Sequence, residues 1–456
     1  MKDPLSAIRD GRKLTIKEEI LLILRLSIPA ILAQLSSVIM QYIDASMVGH
    51  LGANASASIG LVSSTTWLVG GILTAAAMGF SVCVAHRIGA KDEEGARTIV
   101  KWGLNCTLAV SFVIMLVGVL VSPHLPTWMG GDVAIRKDAS AYFLVYALSI
   151  PFRELLLTSQ GMIQSSGNIR VPSILNVVMC ALDVVFNALL IPRFGVMGAA
   201  LGTAFSFVII ALVMLYILVV KSPALHLVGR EKKTRTKFSD FATNELPTAL
   251  KIAIPVAIDN IIMGFAYVAF TRIVSPLGTV SVAANSFSIT AESLCYMPGF
   301  GIGVAATTIV GQCIGAKRKD LGKRLGWMAV ILGMVIMGIS GALMWIFAPY
   351  MIGILSPDEA IRNLGTRILR IEAIAEPFYG ASIVAAGVFR GAGETLLSSV
   401  LNLLSVWVVR IPMAYFLGAR YGLKGAWIAM CTELCVRGIL FLVRLCLWNT
   451  KTKKAI

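Results

Sequence analysis

The chain has 456 residues, 57% of them hydrophobic and only 14% charged, whereas soluble domains carry about 25% charged residues. This balance excludes a secreted disulfide scaffold, a fibrous chain and a disordered one, and it leaves an integral membrane protein. The formal charge of +16 does not point to nucleic acid: no basic patch is interleaved with aromatics, and cytoplasmic loops of membrane proteins accumulate Lys and Arg.

The N-terminal arm carries Lys2, Arg9, Arg12, Lys13 and Lys17 and shows no apolar core of a cleavable signal peptide. Apolar runs follow near 20–48, 56–84, 98–121, 138–161, 171–192 and 196–220, then near 249–274, 280–313, 325–350, 365–389, 396–417 and 422–447. A bilayer-crossing helix needs about 20 such residues, so the runs predict twelve transmembrane helices. The eight cysteines (Cys83, Cys106, Cys180, Cys295, Cys313, Cys431, Cys435, Cys446) lie in or beside these runs without zinc-like spacing and read as packed thiols. Basic residues gather in alternate connections: the N-terminal arm, Arg87 to Lys101, Arg170, the 221–248 stretch with Lys232, Lys317 to Arg324, and the tail with Lys451, Lys453 and Lys454. The alternation predicts both termini and Lys232 on the cytoplasmic side.

Subtraction exposes an internal repeat. Ser27-Ile28-Pro29 matches Ala253-Ile254-Pro255, Leu51-Gly52 matches Leu277-Gly278, and Ile88-Gly89-Ala90-Lys91 matches Ile314-Gly315-Ala316-Lys317, always at an offset of 226 in the numbering. Leu175-Asn176 matches Leu401-Asn402 at the same offset, and Gly198-Ala199 matches Gly425-Ala426 at 227. Six spans per repeat is an even number, so the repeats run parallel, as in one class of secondary transporter. The predicted fold is an all-α integral membrane protein with twelve helices in two parallel six-helix repeats around a central cleft. Residues 1–220 form the first bundle, 221–248 a basic cytoplasmic linker, and 249–456 the second bundle with a short basic tail.

Several segments, in order, carry a family resemblance. They are Leu26-Ser27-Ile28-Pro29, Asp44-Ala45-Ser46-Met47-Val48-Gly49-His50-Leu51-Gly52, Arg87-Ile88-Gly89-Ala90 and Gly195-Val196-Met197-Gly198-Ala199-Ala200. In the second half they are Pro298-Gly299-Phe300-Gly301-Ile302-Gly303, Val310-Gly311-Gln312-Cys313-Ile314-Gly315-Ala316 and Arg390-Gly391-Ala392-Gly393-Glu394-Thr395. From Leu26 to about Arg444 the chain resembles multidrug and toxic compound extrusion (MATE) transporters. The resemblance implies a multi-pass protein of a bacterial or archaeal cytoplasmic membrane, acting as a monomer without cofactor. It would export cationic or amphipathic small molecules in exchange for Na+ or H+. Asp44 fits the acidic position of the DinF-like branch. The Glu that NorM-like members carry eight residues after the seventh-span proline falls on Met263, and their tenth-span Asp falls on Tyr379, so the chain looks closer to the DinF-like branch.

Ionisable residues inside membranes are costly and mark function or pairing; among those in the runs are Asp44, Asp183, Asp259, Glu292, Glu372, Glu376, Arg410, Glu433 and Arg437. Gln41 precedes Asp44 by three residues on the same helix face, and Asp183 and Asn187 share a face of the fifth span. Family members carry Asn-x-x-x-Asp there; this chain has the two exchanged. Asp44, Asp183, Asn187, Thr203 and Gln41 form the expected cation-coupling set, with a possible Na+ at the first three and no structural metal. The alternative is plain interhelical hydrogen bonding. Asp259, Met263, Tyr267, Glu292, Glu376 and Tyr379 are expected to line a substrate cavity. Glu372 and Glu376, four apart, would share a face there, or else pair with Arg410 or Arg370. Glu433 and Arg437 read as a structural pair. Pro29 and Pro255 each remove a helix hydrogen bond and are expected hinges.

Enzyme readings fail on inventory. His50, His86, His124 and His226 are scattered without an HExxH pair, and neither a GxxxxGK[ST] nor a GxSxG run occurs. The competing reading is a flippase for a lipid-linked precursor from the same superfamily.

Overall fold

The computed structural model describes residues 5–12, 14–227, 238–356 and 358–448, apart from the side chains of Ala45 and Ala53. Lys232 and the tail lysines lie outside the described residues. Every regular element among them is helical.

In the first repeat the long helices are α1 (Ile16–Gly49), α2 (Ala53–Gly89), α3 (Glu93–Val121), α4 (Val133–Ser165), α5 (Arg170–Phe194) and α6 (Val196–Tyr216), which continues as a π-helix to Lys221. In the second they are α7 (Leu246–Val274), α8 (Thr279–Gly315), α9 (Lys319–Leu355), the bent α10 (Glu359–Glu372 and Glu376–Gly391), α11 (Thr395–Tyr421, with a π-helical stretch at Ser405–Arg410) and α12 (Leu423–Cys446). Eleven are continuous and long and apolar enough to cross a bilayer, and the bent pair makes the twelfth. Ile331, Val335, Ile339, Leu343 and Ile346 of α9 are all exposed. They recur every three or four residues, on one side of the helix. In water such a stripe would cost about 25 cal/mol per Å²; against lipid tails it costs nothing.

The helix ends repeat as the sequence does. Gly52 and Gly278 (φ 108° and 94°), Lys91 and Lys317 (61° and 58°) and Gly167 and Gly393 (100° and 76°) stand at the 226 offset, and Gly195 and Gly422 (57° and 61°) at 227. Each tight connection needs one residue at positive φ to reverse the chain. The two halves meet that need at equivalent positions.

Two compact units emerge, and their boundaries cut through helices. Unit 1 is Met1–Arg9 with Ser36–Ala257; unit 2 is Asp10–Leu35 with Ile258–Ile456. The start of α1 therefore belongs to the unit built from the second repeat, and the start of α7 to the unit built from the first. Within unit 2, Arg324 pairs with fully buried Glu19, and Arg318 donates to the Arg12 carbonyl at 3.0 Å. Within unit 1, Arg87 pairs with Glu245 and, at 2.8 Å, with Asp92. Glu19 and Glu245 are themselves related by the 226 offset, so each repeat fastens the other's first helix through the same glutamate. Glycines permit the close approach: a Cβ on Gly79 would lie 2.5 Å from the Ala249 carbonyl oxygen, and one on Gly301 would lie 2.6 Å from the Ile31 amide nitrogen. The 221–248 stretch is partly packed as well, since Phe238–Asn244 is helical and buries Phe241 beside Phe80 and Trp102.

The tenth span departs from the sequence expectation. The run near 365–389 is two helices bent by 58° between Glu372 and Glu376. Pro377 stands in the first turn of the second segment, where it lacks an N–H and its ring excludes a preceding helical turn. Glu372 and Glu376 accordingly do not share one continuous helix face. Pro29 and Pro255, by contrast, lie inside unbroken helices.

Candidate functional site

In unit 1 the polar groups converge. The Asn187 side-chain amide donates to Asp44 Oδ1 at 2.8 Å and to Asp183 Oδ2 at 3.1 Å. One NH2 group has two protons, so one asparagine serves both carboxylates, one from α1 and one from its own helix a turn away. Asp183 and Asn187 are fully buried, and Asp183 Oδ1 and Asn187 Oδ1 have no hydrogen-bond donor among the described residues. Buried acceptors are normally satisfied; two unsatisfied oxygens on hydrogen-bonded neighbours suit a cation or a proton.

The sixth helix makes the room. A Cβ on Gly202 would lie 2.0 Å from Asn187 Oδ1, so only glycine lets the asparagine occupy this place. Thr203, next in sequence, neighbours Asp183 and donates to the Ala199 carbonyl at 3.1 Å, which leaves its oxygen lone pairs available. Tyr142 of α4 packs against the apolar cluster of Val48, Ile191 and Ala199, one turn on from Asp44 and Asn187. A hard cation takes several oxygen ligands, and Asp44, Asp183, Asn187 and Thr203 offer four residues bearing them. No group of three or more His, Cys, Asp or Glu side chains placed to hold a metal ion occurs among the described residues. Of the expected set, the structure brings Asp44, Asp183, Asn187 and Thr203 together; Gln41 is exposed and stays outside. Gly202 was missed, because a glycine reveals its role only through its neighbour.

The second unit has a pair of the same kind. Asn402 donates to Asp259 Oδ2 at 3.0 Å. The separation of Asp259 and Asn402 along the chain, 143, equals that of Asp44 and Asn187, and they too join the first and fifth helices of their repeat. The 226 offset carries Asp44 and Asn187 onto Phe270 and Met413 instead. The second pair is thus shifted by eleven positions on both helices, about three turns along the same faces.

The sequence profile of the MatE family matches residues 29–189 and 255–416. The chain belongs to the MATE family. The two matched segments begin at 29 and 255, which is the offset of the repeat. Among curated relatives, a probable multidrug resistance protein NorM from Thermotoga maritima is 27% identical over 432 residues, covering 92% of this chain and 91% of its own. A Bacillus cereus protein of the same description is 23% identical over 425 residues, covering 91% and 93%. Among solved structures, a MATE transporter in complex with MaL6 superposes with a TM-score of 0.89 at 21% identity, covering 98% of both chains. A MOP superfamily transporter from Pyrococcus furiosus gives 0.88 at 21%, with the same coverage. These likenesses establish the fold. MATE proteins are transporters, not enzymes, which agrees with the missing catalytic motifs.

The remaining candidate residues of this MATE protein are dispersed over the second repeat. Glu292 and Glu376 are buried near Tyr379, whose ring lies 5.6 Å from Tyr296 and 5.4 Å from the Arg437 guanidinium. Tyr267 is 61% exposed and Met263 half-buried, both farther along α7 than Asp259. Arg410 and Arg370 do not pair with Glu372 or Glu376. Arg370 stacks on Trp345 at 4.8 Å, and Arg410 meets Glu433 at 2.7 Å, as Arg437 does at 2.9 Å. Ser405 donates to the same carboxylate. Ser405 and Arg410 are five residues apart, and the π-helical stretch between them brings both round to one carboxylate, which an α-helix would not. Glu433→Gln therefore leaves buried Arg437 and half-buried Arg410 short of a counter-charge, a loss of about 3–5 kcal/mol. We expect a clear fall in the thermal midpoint of the detergent-purified protein; a midpoint equal to that of exposed Glu359→Gln would contradict the pairing.

Proposed function

We propose that this protein is a cation-coupled exporter of small amphipathic molecules, a multidrug efflux antiporter in which Na+ or H+ returns as substrate leaves. The observation that carries the reading is the Asn187 amide shared by Asp44 and Asp183, with two buried oxygens left over. Asp44, Asp183, Asn187 and Thr203 would hold the ion, which places coupling in the first repeat and favours the DinF-like branch, although the curated relatives bear the NorM name. Asp259, Glu292, Glu376 and Tyr379 would face substrate. The protein would act as a monomer in a cytoplasmic membrane with both termini inside, in keeping with the basic connections.

Only α1 and α7 are divided between the units, and each carries its proline close to the boundary. Pro29 and Pro255 would supply the bend as access alternates. The test is ethidium uptake into inverted vesicles, driven separately by a Na+ or a proton gradient. Uptake should follow one of the two; uptake with neither, alongside gradient-independent movement of a fluorescent lipid-linked precursor, would replace the exporter with the flippase.

A further inference from the structure

Arg153, which belongs to none of the motifs of the sequence, lies on α4 inside the membrane region. No hydrogen-bond acceptor and no carboxylate within ion-pair distance meets its guanidinium among the described residues. What surrounds it is aromatic: its central carbon lies 5.6 Å from the Tyr146 ring centre and 5.5 Å from that of Phe207. Glycine gives it space, since a Cβ on Gly70 would come within 3.2 Å of its terminal nitrogen. Gly70 is close to the middle of α2, which runs from Ala53 to Gly89, so the charge lies far from either end of that helix. The adjacent Glu154 does not form an ion pair with Arg153; one carboxylate oxygen, Oε1, is engaged and the other, Oε2, has no hydrogen-bond partner among the described residues. Oε1 accepts from Thr158 at 2.9 Å, and Thr158 meets Thr107 at 3.3 Å.

Helices α2, α4 and α6 each place a residue against the guanidinium of Arg153, which is half-buried. Tyr142, Tyr146 and Arg153 also follow one another along one face of α4, and Tyr142 packs against the cluster of Val48 and Ile191, one turn on from Asp44 and Asn187. Aromatic rings can balance a guanidinium's charge, but they accept none of its in-plane N–H bonds. That edge matches a planar oxyanion in a two-pronged contact.

We propose that Arg153 is an anion receptor in unit 1, taking the carboxylate of an amphipathic substrate whose apolar part lies among the aromatic side chains. This deepens the exporter reading, on which it rests, by adding carboxylates and zwitterions to the cations expected from the acidic residues. The test titrates the full-length protein in lipid nanodiscs with 1-pyrenebutyrate, its methyl ester and ethidium, following fluorescence. A charge-assisted contact at this site should make the acid bind about tenfold or more tightly than the ester. Arg153→Gln should erase that preference and leave ethidium binding within about twofold, while Arg153→Lys, a point charge without the fork, should keep part of it. Equal binding of acid and ester by the unmodified protein would overturn the proposal without any variant having to fold, as would an undiminished preference in Arg153→Gln. Gradient-driven ethidium export with no carboxylate preference refutes the receptor alone. Carboxylate preference without gradient-driven transport of any probe upholds the receptor and refutes the exporter.

Discussion

Asp44→Asn should abolish gradient-driven export while leaving substrate binding to the purified protein reduced only modestly. The substitution keeps the volume and one oxygen but removes the charge, and an amide neither carries a proton nor neutralises a cation. Coupling requires that the ion bind one conformation better than the other; without a differential affinity the gradient shifts nothing. Losing one charged ligand is worth about 1.5–3 kcal/mol, roughly 10- to 100-fold in ion affinity. Measured as ethidium uptake into inverted vesicles, the driven rate should fall by at least about tenfold. Asp183→Asn should fall less, because Asn187 still holds Asp44 at 2.8 Å. An Asp44→Asn protein with undiminished gradient dependence would move the coupling site to the second unit, where Asp259, Glu292 and Glu376 are the groups to replace.

Gly202→Ala should damage the same site from the other side. The added methyl would lie 2.0 Å from Asn187 Oδ1 and 3.0 Å from the Asn187 backbone nitrogen, and both contacts are inside normal packing distance. The asparagine must swing away, releasing Asp44 and Asp183 together. Overpacking of this kind costs about 1–3 kcal/mol, so the thermal midpoint should drop by a few degrees and driven transport should fall to the level of Asn187→Ala. Gly60→Ala is the control, since nothing lies within 4 Å of a Cβ there. Wild-type transport by Gly202→Ala would mean that Asn187 does not bridge the two carboxylates in the working protein.

The sequence by itself determined the twelve spans, because a bilayer asks every crossing helix for the same apolar length whatever it packs against. It determined the duplication too, through the constant offset of 226. It also marked Asp44, Asp183 and Asn187, since a charge in an apolar run and two polar residues one turn apart are visible without a fold. Spacing along a helix defines a face, but not which other helix that face meets. Only the tertiary structure decided that one amide, far from Asp44 along the chain, serves two carboxylates, and that Gly202 makes its place. The same holds for Glu433 gathering Arg410 and Arg437 by way of a π-helical turn. Pro377 split α10 and separated Glu372 from Glu376, a geometry that counting residues through an unbroken helix conceals. Nor could the repeat alone reveal that Glu19 and Glu245 each bind an arginine of the opposite repeat. Equivalence in sequence records how the halves arose, while the exchange of their first helices is a matter of which surfaces pack.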